Sequence, residues 1–254
     1  TQYYNEIVNL AEKYNLKPVY ISFHLENLKT MRKLDTTSKM YYLVQKISEK
    51  DKLSYISNIL YLISNEIDPY RRIMQYSITI DALAKLNINL FTLLQNSIDL
   101  PNLLFNTVNQ IKSNRIKDEN SGKHGDYEKL SAYTSVFFAL AVCDKADSAI
   151  TVIQNHILDA LKTLENIPSP FFRGRGGSML FSAISLLGYS KVLYTHGRDY
   201  IAETLDYLDN ADTIGINPSF PQSMSPAFVN VYPLLTMLNA IASTGHTELL
   251  NYRQ

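Results

Sequence analysis

The sequence predicts an all-α protein made of stacked antiparallel helix pairs, and three observations favour this fold class. Apolar residues recur at helical spacing along most of the chain, whereas the alternation typical of strands is weak. Hydrophobic residues form 46% of the 254 residues and charged residues 19%, which is enough to build a core and excludes a disordered chain. Prolines and small polar residues separate the apolar stretches, and we expect one helical domain over residues 1–254.

The first half of the chain predicts helices separated by capping residues. Asp51 is the candidate cap of one helix, and Asp68 with Pro69 at the first helical position opens another. The residues expected to face inward on these two helices are Leu53, Ile56, Ile59, Leu60, Ile63, Ile73, Tyr76, Ile80, Leu83 and Leu86. The other helices expected here are Tyr3–Tyr14, one after Thr36-Thr37-Ser38, Asn89–Ser97 and Leu103–Ile111.

The second half predicts longer helices and two loops. A mobile polar loop of mixed charge is expected over about residues 112–128, and a second loop over 210–225. Gly176-Gly177-Ser178 is expected to precede a helix that ends at Tyr194, and Pro233 is expected to kink or restart the last helix, which Pro226 opens. The remaining expected helices are Tyr127–Val142, Ala146–Leu164 and Arg198–Leu208.

Two of the breaks between helices share one pattern. Asp68-Pro69-Tyr70-Arg71-Arg72 and Ser169-Pro170-Phe171-Phe172-Arg173 both read small polar residue, proline, aromatic residue, any residue, arginine. The two prolines are separated by about three units of roughly 34 residues. With Leu187-Gly188, Tyr194, Gly197, Tyr200 and Ala202, this pattern resembles the tetratricopeptide-like (TPR-like) family of helical repeats, although the chain has no tryptophan for that family's tryptophan position. The resemblance implies an α-solenoid whose concave face binds a protein or peptide.

The same helices also fit a second architecture, the α/α toroid. Apolar helices rich in small residues (Tyr127–Val142, Met179–Tyr194 and Phe228–Ala242) alternate with more amphipathic ones. In a toroid these helices would form an inner ring around a central cavity, and this fold often hosts enzymes. The toroid is therefore the alternative to the solenoid.

Phe172–Ser178 is the segment that most resembles a binding site, because it combines three glycines with two arginines before an expected helix. Glycines let backbone N–H groups approach a ligand, a helix N-terminus is partly positive, and arginines bind phosphate or carboxylate. The candidate binding residues are Arg72, Arg173, Arg175, Gly176, Gly177 and Ser178. The competing interpretation is a tight turn whose arginines tie helices together, and neither a P-loop nor a dinucleotide-binding pattern is present.

Complete catalytic and metal-binding patterns are missing from the sequence. No histidine belongs to a Glu-x-x-His pattern, and the single cysteine, Cys143, lies in an apolar run where burial is expected. Asp206, Asp209 and Asp212 share a spacing of three residues, but no adjacent aspartate pair accompanies them. We predict no catalytic residue, metal or cofactor.

The charge balance limits the choice of partner. Lysine plus arginine equals aspartate plus glutamate, 24 against 24, which gives no general attraction to nucleic acid or anionic lipid. No apolar run is long enough to span a bilayer and no signal peptide opens the sequence, so we expect a cytoplasmic protein without a membrane partner. The preferred function is a non-enzymatic scaffold for a protein or peptide. The alternatives are an enzyme or small-molecule binder with an anionic-ligand pocket near Arg173 and Arg175, and a subunit of a nucleic-acid complex.

Overall fold

The computed structural model describes residues 48–94, 98–112, 125–143, 150–195, 197–209 and 226–245. The described residues form α-helices and one 3₁₀ helix, with no β-strand among them, so the all-α class is confirmed. None of their helices has the length and apolar character needed to cross a bilayer. Two compact units divide the chain at Leu100, and the single domain over 1–254 stays a prediction. The helices expected before Ser48 and the loop expected over 210–225 lie outside the described residues.

The first unit contains α1 (Glu49–Ser64), α2 (Pro69–Ala84) and α3 (Leu90–Leu94). Asp68 caps α2 as expected, because its carboxylate accepts a hydrogen bond of 2.9 Å from the backbone N–H of Tyr70. The cap of α1 was predicted wrongly: Ser48 holds the N-cap position, and its hydroxyl donates to Asp51 at 2.8 Å.

The expected inward face of α1 and α2 is confirmed except at its two ends. Leu53 is exposed on α1, and Leu86 is half-buried beyond the end of α2. The buried members of this face are Ile56, Ile59, Leu60, Ile63, Ile73, Tyr76, Ile80 and Leu83.

The second unit is organised around one central helix. In chain order the elements are α4 (Leu100–Asn109, which starts at the unit boundary), α5 (Gly125–Val142), α6 (Ile150–Glu165), α7 (Pro170–Leu186), the 3₁₀ helix (Ser190–Tyr194), α8 (Tyr200–Asp209) and α9 (Pro226–Thr244). Helix α7 packs against α5, α6, α8 and α9. A helix contacted on this many sides must be apolar around most of its circumference, and α7 has no charged residue after Arg175.

Two expectations for the second unit were wrong and a third is excluded in part. Gly176, Gly177 and Ser178 lie inside α7 rather than before it, and this helix ends at Leu186, eight residues before Tyr194. Helix α9 continues through Pro233 without a restart, and the kink expected there stays a prediction. Residues 125–128, assigned to a loop from sequence, form the first turn of α5.

Helices α5, α7 and α9 run parallel to one another. The Ser178 hydroxyl donates to the Thr236 carbonyl, and seven residues further along both helices the Ser185 hydroxyl donates to the Ser243 carbonyl at 2.5 Å. On the other side of α7, the ring of Tyr127 lies 4.8 Å from that of Phe172, and Leu130 packs on Gly176 four residues later. Contacts that advance in the same direction along both partners define a parallel row, α5–α7–α9.

Two stretches of the chain have closely similar helix lengths and turns, displaced by 101 residues. Helices α1 and α6 each have 16 residues, and α2 and α7 both begin at a proline preceded by an extended cap residue. Both stretches then turn through a residue with positive φ, which is Asn87 at 59° and Gly188 at 82°. The spacing of about 34 residues implied by the TPR-like resemblance stays a prediction.

Candidate functional site

Both arginines of the shared turn donate to a backbone carbonyl earlier in the chain. Arg72 lies three residues after Pro69, and its Nε donates to the carbonyl of Glu66 at 2.8 Å. Arg173 lies three residues after Pro170, and its guanidinium donates to the carbonyl of Glu165 at 3.2 Å. The last carbonyls of a helix have no partner within that helix. Arg173 therefore satisfies a carbonyl at the end of α6, whereas Arg72 holds the loop between α1 and α2, since Glu66 lies two residues beyond the end of α1. Both contacts fit the interpretation that these arginines tie helices together.

Arg173 is held further by α8. Its guanidinium lies 3.9 Å from the centroid of the Tyr207 ring, and the Tyr207 hydroxyl donates to the carbonyl of Pro168 at 2.8 Å. Arg173 and Tyr207 thus fasten α8 to the turn between α6 and α7. The Nε of Arg173 is buried and has no hydrogen-bond partner among the described residues, so the carbonyl and the ring position the guanidinium without satisfying all of its donors.

A second charged group stands beside this turn. Arg198 donates to Glu165 at 2.6 Å and also to Glu203, and its guanidinium lies 4.5 Å from the centroid of Tyr200. The hydrogen bond from Arg198 lowers the pKa of Glu203 below its ordinary value, with desolvation acting in the opposite direction. These side chains are partly exposed, and the ion pairs orient α8 on α6.

Gly176, Gly177 and Ser178 do not form an anion-binding loop. All three are buried inside α7, where backbone N–H groups are engaged by the helix itself. A Cβ built on Gly176 would lie 2.6 Å from Leu130 Cδ2, so the glycine leaves the space that the close packing of α5 requires. Gly177 faces the opposite layer, with Leu164 of α6 and Thr204 of α8 around it.

Arg175 differs from the other candidates. It is exposed, and no acceptor for its guanidinium occurs in the part of the chain that the structure describes. Successive helix residues are separated by about 100°, so Arg175 projects from the side of α7 opposite to Arg173. The structure therefore does not bring the two arginines together, and Arg72 belongs to the other unit.

The side of α7 that carries Arg175 is open. Gly177 faces α6 and α8, and the residues on the opposite side of α7 are Arg175, Met179 and Leu186. Val142 of α5 and Leu235 of α9 are also exposed, and each lies on the side of its helix away from the buried contacts. We call these five residues the open face; its apolar members are 49% (Val142), 44% (Met179), 64% (Leu186) and 54% (Leu235) exposed.

The helices behind the open face have almost no charge. Residues 130–142 of α5, 176–186 of α7 and all of α9 contain no aspartate, glutamate, lysine or arginine. Surface helices normally carry charged residues on their exposed side. This uncharged stretch was visible in the sequence, but only the structure shows that the three segments lie side by side.

His156 and Tyr133 belong to a cluster of aromatic side chains inside the second unit. His156 stacks on Phe105 with 3.8 Å between ring centroids, and Tyr133 lies 6.3 Å away. Burial lowers the pKa of His156, and the carboxylate of Asp159, 3.9 Å from Nδ1, opposes that shift. Burial also raises the pKa of the Tyr133 hydroxyl, which donates to Asn109, to about 12. The imidazole of His156 packs against the rings of Phe105 and Tyr133, which indicates a structural role in the core.

The remaining sequence candidates contribute no site. Cys143 is buried, as expected. Asp206 and Asp209 both lie in α8, whereas Asp212 lies outside the described residues. Within the described ranges no group of acidic, histidine or cysteine side chains could hold a metal ion. Family models, curated proteins and solved structures give no match to this chain.

Proposed function

We propose that the protein is a helical scaffold that binds a protein partner on the open face. The observation that carries this proposal is the exposure of Met179, Leu186 and Leu235 on two neighbouring helices, in segments that contain no charged residue apart from Arg175 at one end. Large apolar side chains that are grouped on an exposed face mark interaction sites in soluble proteins. The order of contacts, in which α7 meets both its chain neighbours and the next helices beyond them, supports a stacked, TPR-like arrangement.

The anionic-ligand alternative has less support. It requires Arg173 and Arg175 to converge on one ligand beside free backbone N–H groups. Arg173 is engaged with Glu165 and Tyr207, while Arg175 projects from the other side of the helix. A thermal-shift screen with phosphate, diphosphate and small carboxylates tests this alternative, and we expect no shift that depends on Arg175.

Position-specific photo-crosslinking tests the scaffold function. A benzoylphenylalanine at position 179 should capture a defined protein partner in the native cell extract. The matched control is the same residue at position 158, because Leu158 is an exposed leucine on α6, behind α7. The Leu186→Asp substitution should abolish the crosslink from position 179 while the protein keeps its helical circular dichroism. Equal capture from both positions, or no capture from either, would contradict the proposal.

A further inference from the structure

The open face has a defined chemical preference, and this inference rests on the function proposed above. We propose that the bound partner presents an amphipathic α-helix, and that an aspartate or glutamate of this helix pairs with Arg175. The apolar side of the partner helix covers Met179, Leu186 and Leu235.

The geometry of the open face favours a helix as the bound element. An extended peptide gains affinity by adding a strand to an exposed sheet edge, and the described part of this chain has no sheet. The open face instead offers a row along α7 in which Arg175, Met179 and Leu186 are spaced four and seven residues apart. At 1.5 Å per residue the row is roughly 16 Å long. This is the length that anchors at i, i+3 or i+4, i+7 and i+11 of a partner helix cover.

The charge of Arg175 favours a carboxylate on the partner helix. Among the described arginines, Arg72, Arg173 and Arg198 have acceptors within the chain, and Arg71 lies 4.0 Å from Asp68. Arg175 has none in the same part of the chain. An arginine covered by a partner without an opposing group would lose its hydration and gain nothing in return. A carboxylate from the partner supplies two acceptors in the geometry that a guanidinium prefers.

The uncharged surroundings make this pairing selective. Because the rest of the open face is neutral, Arg175 alone decides the sign of the charge that the partner must carry at that end of α7. A lysine at the corresponding position of the partner would meet a like charge in a partly desolvated contact. Selectivity for an acidic helix is therefore a property of one side chain.

Display selection with the full chain tests the inference. The probe is a library of 20-residue amphipathic helices in which the polar positions vary freely between acidic, basic and neutral residues. Selection on the unmodified protein should enrich an aspartate or glutamate at one end of the apolar stripe. The charge reversal Arg175→Glu should enrich lysine or arginine at that same position instead. Lys162→Glu, a reversal at an exposed site on α6, should leave the acidic preference unchanged.

The affinity of an enriched acidic peptide provides the second measurement. Arg175→Met should weaken its binding about tenfold, since a charge-assisted pair is lost while the apolar contacts stay. Met179→Asp should remove binding altogether. Peptides that need Met179 but show no charge preference would overturn the acidic-helix inference and leave the scaffold function intact. Absence of any peptide that depends on Met179 would overturn both. So would loss of a dimer, or of binding to phosphatidylserine vesicles, on Met179→Asp, because a second copy or a lipid surface would then be the occupant.

Discussion

The guanidinium of Arg173 lies 3.9 Å from the ring centroid of Tyr207, and these two side chains join three helices at one turn. Arg173 bonds to the end of α6, while Tyr207 bonds to Pro168 in the turn itself. The pair explains why an arginine follows the proline by three residues.

Loss of the Arg173 contacts should destabilise the protein. Arg173→Met leaves the Glu165 carbonyl without its donor and removes the cation over Tyr207, so we expect the free energy of unfolding to fall by about 1–3 kcal/mol. Arg175→Met is the matched control, since it is two residues away on the same helix and exposed, and its effect should stay within about 0.5 kcal/mol. Urea denaturation followed by circular dichroism measures both. Equal effects at the two positions would remove the structural role assigned to Arg173.

The two buried glycines of α7 should respond differently to alanine. Both substitutions gain the same helix propensity, about 1 kcal/mol. A Cβ at position 177 would meet Leu164 and Phe181 at 3.4 Å, whereas at position 176 it would meet Leu130 at 2.6 Å. We expect Gly176→Ala to be less stable than Gly177→Ala by about 1–3 kcal/mol. Thermal and urea unfolding of the two variants give the difference directly, and a Gly176→Ala protein as stable as Gly177→Ala would contradict the close approach of α5 and α7.

Low pH should lower the stability of the second unit, because His156 then becomes protonated. Burial lowers the pKa of His156 in the folded state, so the unfolded chain binds this proton more readily. The stability contributed by the neutral imidazole is therefore complete at pH values above the unfolded pKa of about 6.5 and decreases as the pH falls below it. Urea midpoints at pH 7.5 and pH 5.0 should differ less for His156→Phe than for the unmodified protein. The same acid loss in both proteins would show that other groups are responsible.

The turn after α7 should accept asparagine better than alanine. Gly188 has φ of 82°, a conformation that glycine adopts freely and asparagine tolerates, whereas a Cβ without a polar group is disfavoured there. At the matching place after α2, the chain has Asn87 at φ of 59°. We expect Gly188→Ala to cost about 1 kcal/mol and Gly188→Asn distinctly less. The ranking of the two melting temperatures checks this, and the opposite order would argue against the correspondence between the two turns.

Local chemistry made the helix starts at Pro69 and Pro226 predictable. Asp68 and Pro69 acted as expected because a cap and a fixed φ are short-range effects. The start of α7 was missed because Gly174, Gly176 and Gly177 read locally as a loop, whereas the contacts with α5, α6 and α8 keep these glycines helical. Tertiary packing of this kind outweighs intrinsic propensity.

The candidate site depended on the same error. With a loop over 172–178, Arg173 and Arg175 can turn to one ligand, and a helix that begins at Pro170 sends them to opposite sides. The open face was missed for another reason. Its charge-free segments are separated by more than thirty residues in sequence, and only the parallel packing of α5, α7 and α9 makes them neighbours.

The matching turns of α1–α2 and α6–α7 place Gln75 of α2 at the position that Gly176 holds in α7. A side chain at that position of α7 would meet Leu130, whose Cδ2 lies 2.6 Å from a Cβ built on Gly176. The two segments therefore share a turn pattern but not a neighbour: the absence of one side chain gives α7 a surface on which α5 can pack closely, and the corresponding residue of α2 carries a long polar side chain instead.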